Sequence, residues 1–338
     1  MQIQTDTPLS QYTTMRLGGN AAALTKVTSK EELVEALGWA TSHHLPSLVL
    51  GGGSNVIFTD GFAGLVILNR IPGFEVLESD AVYSTIRIGA GEDWDEVVDR
   101  TTEMELTGIE ALSAIPGTAG ATPVQNVGAY GQEIADTFVE LEAYDLQTHA
   151  FVTLDKAACG FTYRGSIFKS VKDRRYIIVS ITLRLQKANP QPPFYASLER
   201  YLQEHNLSDY TPRLIREAVI AIRAHRLPDP AVVANTGSFF KNPIVAPEVC
   251  KPLQIAHPDM PHWPTKDGRV KLSAGWLIEH AGLTTYKSHG MELYEHNALV
   301  FVNKSAKSYD DLAAFREAVI AKVHATFGVT LEQEPELL

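Results

Sequence analysis

Leu48-Val49-Leu50-Gly51-Gly52-Gly53-Ser54-Asn55-Val56 carries a short apolar strand directly into three glycines and two small polar residues. With no Cβ in the way, such a turn lets backbone N–H groups approach an anion closely, and Ser54 and Asn55 add side-chain donors. A pyrophosphate suits that chemistry, and so does a plain tight turn. Val56 stands where a GxGxxG fingerprint needs its last glycine, so this is not the dinucleotide motif of a doubly wound sheet. No GxxxxGK[ST] occurs, which excludes a P-loop NTPase.

Working outward, Ser29 and Glu32 read as a capping box ahead of Leu33, Ala36, Leu37 and Ala40 at helical spacing. A strand at Leu65 to Leu68 completes a small α/β unit. From about residue 72 the texture becomes β-rich, with strands at Phe74 to Leu77, Val82 to Ile88, Phe138 to Tyr144 and Tyr176 to Leu185. A helix starts near Trp94, where Glu92 and Asp93 suit its positive end. A third texture begins near Leu214, with a helix through Ile215, Val219 and Ile222 that stops at Leu227-Pro228. Further helices are expected at Ser273 to His280 and after Ser308, whose partner Asp311 caps a run closed by Gly328. A short strand is expected at Val329 to Leu331.

The 338 residues are 45% apolar and 20% charged, which is the composition of a globular chain of about two domains by length alone. Twenty-nine Lys and Arg against forty Asp and Glu leave a formal charge of −11, which argues against a nucleic-acid surface. No apolar run approaches the roughly 20 residues that cross a bilayer, and Met1 to Gln11 has neither a basic nor an apolar leader region, so no signal peptide is expected. Two cysteines, Cys159 and Cys250, are too few for a disulfide framework and point to a reducing cytoplasm. The eleven histidines form no HExxH or Cys/His cluster, so no metal site is expected.

Four other stretches could carry chemistry. Ile115-Pro116-Gly117-Thr118-Ala119-Gly120-Ala121-Thr122-Pro123-Val124-Gln125-Asn126-Val127-Gly128-Ala129-Tyr130-Gly131 has more small residues and fewer charges than a solvent loop needs. It reads either as a loop against a flat ligand or as a buried packing segment. Arg164, in Tyr163-Arg164-Gly165-Ser166-Ile167-Phe168-Lys169, reads by itself as a surface charge, although Arg suits a carboxylate bidentately. Ser238, in Thr236-Gly237-Ser238-Phe239-Phe240-Lys241-Asn242-Pro243, reads by itself as a turn residue. It is not in a GxSxG nucleophile elbow. Leu331-Glu332-Gln333-Glu334-Pro335-Glu336 reads by itself as a solvated acidic end.

In this order the motifs GGGSNV, IPGTAGATPVQNVGAYG, YRGSIFK, TGSFFKNP, KLSAGWLIE and LEQE resemble the UDP-N-acetylenolpyruvoylglucosamine reductase family, over nearly the whole chain. The stretch between YRGSIFK and TGSFFKNP is similar to the longer form of that family. The resemblance implies an α+β protein with a p-cresol-methylhydroxylase-type two-part FAD-binding fold and a third, α+β substrate-binding domain. The parts would be residues 1–70, with 331–338 returning towards the active site, then 71–226 and 227–330. It implies NADPH as reductant and reduction of the enolpyruvyl ether of UDP-N-acetylglucosamine to UDP-N-acetylmuramate, a cytoplasmic step in peptidoglycan and cell-wall synthesis, carried out by a monomer.

Carried over residue by residue, the resemblance assigns Arg164 to binding and stabilising the substrate carboxylate, Glu334 to assistance at that carboxylate, and Ser238 to protonation of C2. Gly51, Gly52, Gly53, Ser54, Asn55, Gly117, Gln125, Asn126 and Gly128 would contact FAD, and Tyr195, Arg223, Arg226 and Asn242 the substrate or its diphosphate. Arg226 stands where the family often has Lys, which exchanges a point charge for a planar fork. Gly52 stands where some relatives carry Glu, and the chain ends four residues after Glu334, where relatives often continue. Two other readings compete: an FAD oxidase of a sugar or hydroxy acid on the same scaffold, and a nucleotide-binding module without turnover.

Overall fold

The computed structural model describes residues 1–169 and 174–338. Two compact units emerge. The first comprises residues 1–7, 21–53 and 62–224, the second 8–20, 54–61 and 225–338. Both combine sheets with helices on their faces, in keeping with the expected α+β class.

In the first unit, strands Gln4–Pro8, Asn20–Val27, Phe62–Asn69 and Ser47–Leu50 form one sheet in that order. Phe62–Asn69 is central and runs parallel to both Asn20–Val27 and Ser47–Leu50. Its Gly64-to-Asn69 stretch is wholly buried, as a two-sided parallel strand should be. The helix Lys30–Ser42 covers one face with Leu33, Ala36 and Ala40. Ser29 accepts the Glu32 N–H at 3.1 Å. The expected capping box is only half made, because Glu32 Oε2 turns to the Thr28 N–H at 2.6 Å instead.

A second sheet of the same unit is antiparallel throughout: Ala150–Asp155, Phe138–Asp145, Tyr176–Gln186, Tyr83–Gly89 and Phe74–Ser79. Ile177 and Val179 face the core shared with Val27, Leu65 and Ile67, while Ile178, Ile181 and Leu183 face the other side. The helix Trp94–Glu103 closes that side with Trp94, Val97 and Val98. Asp93 caps it, accepting the N–H groups of Asp95 and Glu96. The buried Trp94 Nε1 donates to the Leu112 carbonyl at 3.0 Å, which removes the cost of an orphaned indole donor. Helices Ala196–Glu204 and Pro212–Arg226 pack on each other through Leu198, Leu202, Ile215 and Val219.

The second unit is built on the antiparallel sheet Asn235–Ser238, Asn297–Asn303, Met291–Tyr294 and Lys287–Ser288. The helix Tyr309–Phe327 packs on it with Leu312, Phe315 and Val319. Its Ser308–Asp311 capping box is made in both directions, and Gly328 ends it at φ +68°. Phe239, Phe301 and Phe315 form an aromatic core, Phe239 stacking on Phe301 at 4.0 Å between centroids. The expected helix from Ser273 is α only over Ala274–Ile278 and then widens into a π turn, with Gly282 at φ +79°. The strand expected at Val329 to Leu331 does not form. Val329 and Leu331 are drawn into the core, and pairing begins only beyond them, with Gln333 bridging Phe240 and Glu336–Leu337 running parallel to Val56–Ile57.

Candidate active site

A Cβ on Gly52 would lie 2.6 Å from the Gly117 Cα, and one on Gly51 would lie 2.6 Å from Thr118 Oγ1. Two glycine-rich segments far apart in sequence therefore touch through their backbones in the first unit. Arg70 Nη1 donates to the Gly51 carbonyl at 3.0 Å, and the Trp94 N–H donates to the Gly117 carbonyl at 3.1 Å. Both carbonyls thus have donors within the protein, and no Cβ stands between the two backbones. That suits a long anionic ligand with a flat end, as FAD is. Arg70 was not singled out from sequence. Its pKa is lowered by burial, and its signal is an Arg directly after a buried strand. Ser54 and Asn55 continue the turn in the second unit, where the Asn55 carbonyl accepts from Glu336 N–H at 2.9 Å.

The loop from Ala114 to Gly131 is a succession of short turns, with a 3-10 turn at Ala119–Ala121 and a two-residue ladder between Gly128–Ala129 and Gln132–Glu133. Asn126 holds it together. Its Nδ2 donates to Glu133 Oε2 at 2.9 Å and to the Thr162 carbonyl at 3.2 Å, and its Oδ1 accepts from Ala135 N–H at 3.0 Å. Asn126 is 2% exposed and at φ +47°, so its side chain shapes the loop from within. Gln125 lies half-buried beside it.

Arg164 sits at φ +54° in a tight turn closed by the Thr162–Gly165 bridge. Its Nη2 donates to the Gly128 carbonyl at 2.5 Å, and a Cβ on Gly128 would come within 2.9 Å of its Nη1. A side chain at 128 would therefore have to displace the guanidinium from where it sits. Ser166 Oγ donates to the Val124 carbonyl at 2.7 Å, tying the same turn to the long loop. The reading of Arg164 as a loose surface charge fails on these contacts.

Arg223 lies on the helix Pro212–Arg226 with Nη2 donating to the Ala114 carbonyl at 3.2 Å and with its Nε buried and unpartnered. Burial pushes its pKa down against the opposing pull of Tyr130 and Asp95. A half-buried guanidinium whose Nε is buried without an acceptor suits an anion. Tyr195, 45% exposed, stands just before helix Ala196–Glu204 and meets Tyr130 edge-on at 5.9 Å. Tyr130 and Tyr195 border a cavity of about 700 Å³ shared with Glu110, Gln132, Arg184 and Phe194.

In the second unit, Ser238 ends its strand opposite Val300, after a register shift at Thr236 and Gly237. Gly237 takes φ +68°, and its N–H is accepted by Asn235 Oδ1 at 2.8 Å. A bulge of this kind re-aims the next side chain, and Ser238 stays half-buried while Phe239 and Phe240 are fully covered. The C-terminal stretch runs alongside: Glu334 N–H donates to the Phe239 carbonyl and Lys241 N–H to the Glu332 carbonyl, both at 2.9 Å. Lys241 and Glu332 also form an ion pair. Arg316 Nη1 holds Gln333 Oε1 at 2.8 Å. The terminal acidic segment is therefore a structured strand-like partner rather than a solvated tail, and it brings Glu334 next to the strand of Ser238. Asn242 Oδ1 accepts from Ala274 N–H at 3.0 Å at the start of Ala274–Ile278, and Arg226 is exposed at the end of its helix. Ser238, Glu334, Asn242 and Arg226 thus fall in one unit, and Arg164, Tyr195, Arg223 and Gly51–Gly53 in the other.

No helix among the described residues is long and apolar enough to cross a membrane. No cluster of three or more potential metal ligands occurs among the described residues.

Comparison with known proteins adds two family profiles. Residues 229–338 match "UDP-N-acetylenolpyruvoylglucosamine reductase, C-terminal domain", and residues 21–152 match "FAD binding domain". A UDP-N-acetylenolpyruvoylglucosamine reductase of Ralstonia nicotianae is 41% identical over 335 residues, covering 98% of both chains. One of Dechloromonas aromatica is 40% identical over 344 residues, covering 100% of both. The crystal structure of the Thermus caldophilus UDP-N-acetylenolpyruvylglucosamine reductase superposes with a TM-score of 0.67 at 22% identity, covering 99% of this chain and 98% of that one, a likeness of fold.

Proposed function

The chain belongs to the UDP-N-acetylenolpyruvoylglucosamine reductase family, and from that we propose how its residues share the reaction. It is an FAD oxidoreductase that converts UDP-N-acetylenolpyruvoylglucosamine to UDP-N-acetylmuramate with NADPH, in peptidoglycan synthesis. Full-length similarity to reductases leaves the sugar or hydroxy-acid oxidase reading without support.

FAD held by these residues and reduced by NADPH would supply a hydride to C3 of the enolpyruvyl group. Negative charge then gathers at C2 and spreads into the adjacent carboxylate. The chain must meet that charge where it appears, with donors already oriented. Arg164 does so with a guanidinium seated on the Gly128 carbonyl. Ser238 delivers a proton to C2. A hydroxyl is a weak acid in water, so this role rests on placement beside a strongly basic carbon. Glu334 assists from the adjoining segment. The single observation behind this assignment is the Glu334 N–H to Phe239 carbonyl bond of 2.9 Å, which sets the terminal glutamate one residue from Ser238 along paired backbones.

The backbone of Gly51 to Asn55, with Gly117, Gln125 and Gly128, holds FAD, while Asn126 contributes by shaping the loop. Arg223, Arg226, Asn242 and Tyr195 receive the substrate and its diphosphate. The proposal includes the three-part division at 1–70, 71–226 and 227–330, and a monomer acting in the cytoplasm without nucleic-acid or membrane partners.

The test is anaerobic spectroscopy of Ser238→Ala. NADPH should bleach its flavin bands at the wild-type rate, and added substrate should fail to restore them. Restoration at the wild-type rate removes Ser238 from the mechanism.

A further inference from the structure

Asp95 lies on the first turn of helix Trp94–Glu103, and Arg216 on helix Pro212–Arg226. Arg216 grips Asp95 with both ends of its fork, Nη1 to Oδ1 at 2.5 Å and Nη2 to Oδ2 at 3.0 Å, while its Nε donates to Asp99 Oδ1 at 2.8 Å. Arg216 is 8% exposed. Burial alone would raise the pKa of Asp95, but the Arg216 fork and the Ala114 N–H outweigh it, and the net shift is downward. Asp95 therefore stays an anion throughout the neutral range.

The pair does not end at itself. Asp95 Oδ1 also accepts the Ala114 N–H at 2.5 Å, and the carbonyl of the same residue accepts from Arg223 Nη2 at 3.2 Å. Ala114 is at φ +55°, a conformation an L-alanine does not hold unaided. Its peptide is thus pinned on both sides, by a carboxylate at the nitrogen and by Arg223 at the oxygen. Arg223 is left with a buried Nε and no partner for it.

We infer that Asp95 and Arg216 are positioning residues, which act through the strained Ala114 peptide to aim the Arg223 guanidinium at the diphosphate of the nucleotide substrate. This rests on the reading of Arg223 as a diphosphate contact. Releasing Asp95 frees Ala114 to relax out of the left-handed region and carries its carbonyl away from Arg223. The glycine surface opposite Gly52 is pinned separately, by Trp94 N–H on the Gly117 carbonyl and Ala119 N–H on the Glu92 carbonyl, so FAD binding is not coupled to this pair.

The probe is UDP, which carries the diphosphate without the reacting group. Its Kd is measured by calorimetry on FAD-loaded wild type, Asp95→Asn, Arg216→Lys, Arg223→Gln and the Asp95→Asn/Arg223→Gln double variant. Asp95→Asn and Arg216→Lys should each weaken UDP about tenfold, the scale of one charge-assisted hydrogen bond. Flavin content should stay at the wild-type level, and the double variant should bind no worse than Arg223→Gln. If Arg223→Gln weakens UDP while Asp95→Asn and Arg216→Lys only lower the melting temperature, the pair is structural and the inference falls. If Arg223→Gln binds UDP as wild type does, the diphosphate reading of Arg223 falls first and the inference with it.

Discussion

The loop from Ala114 to Gly131 and the stretch from Asn235 to Asn242 both present polar residues, but by opposite means. The loop turns at Ala114, Asn126 and Tyr130, three non-glycine residues at positive φ, and nearby Arg164 is held the same way. Ala114, Asn126 and Arg164 are each kept in place by specific hydrogen bonds, and Tyr130 meets Tyr195 edge-on. Ser238 instead rides on a strand paired with Asn297–Asn303, over stacked phenylalanines, with only glycine at positive φ beside it. One region is positioned by directed polar contacts that hold strained backbone. The other is positioned by close packing, which needs no strain at any one residue. Removing a contact should therefore act locally in the first region and globally in the second.

The largest effect expected is from Phe301→Ala. It deletes the ring between Phe239 and Phe315, and should cost about 3–5 kcal/mol of stability, read as a lower urea midpoint. A loss below about 1 kcal/mol would show that packing does not hold the Ser238 strand. Asn126→Leu comes next. It leaves the Ala135 N–H without its acceptor, costing about 1–3 kcal/mol, and should weaken FAD more than it lowers the melting temperature. A purely global loss would erase the contrast between the regions.

The effect that is smallest at neutral pH concerns the two cysteines, one in each unit. Burial raises the pKa of both, that of Cys159 to about 12. The unfolded thiol titrates first, so the native state holds more protons above pH 9, and stability present below that pH should fall as pH rises towards the folded value. Cys159→Ala should remove up to about 1.4 kcal/mol per pH unit of that alkaline slope. An unchanged slope would mean that Cys159 is not sealed in the native state.

Much of this was legible in the residues. Gly51 to Gly53 were readable because a run of glycines after a strand marks close approach or positive φ, here the Gly117 backbone against Gly52 and φ +66° at Gly53. The helix after Ser308 was readable because caps and apolar spacing are local. Asp95 and Asp99, four apart on a helix, are the available signal in the sequence for the buried cation Arg216. The terminal segment misled, since Glu332, Glu334 and Glu336 look like a solvated end. What orders them is a distant backbone, through Phe239 and Lys241. Arg164 and Ser238 likewise gained meaning only from the ordered set of motifs, because one Arg or one Ser carries no chemistry by itself.

The amino-acid sequence by itself determined the α+β class, the strand-to-glycine turn, most helix limits and the family, because those depend on spacing, caps and motif order within short windows. Tertiary structure alone decided that Gly52 meets Gly117, that Glu334 lies beside the strand of Ser238, and that Ala114 is pinned between Asp95 and Arg223. Those are contacts between residues far apart in the chain, and only a folded core brings such backbones within hydrogen-bonding reach.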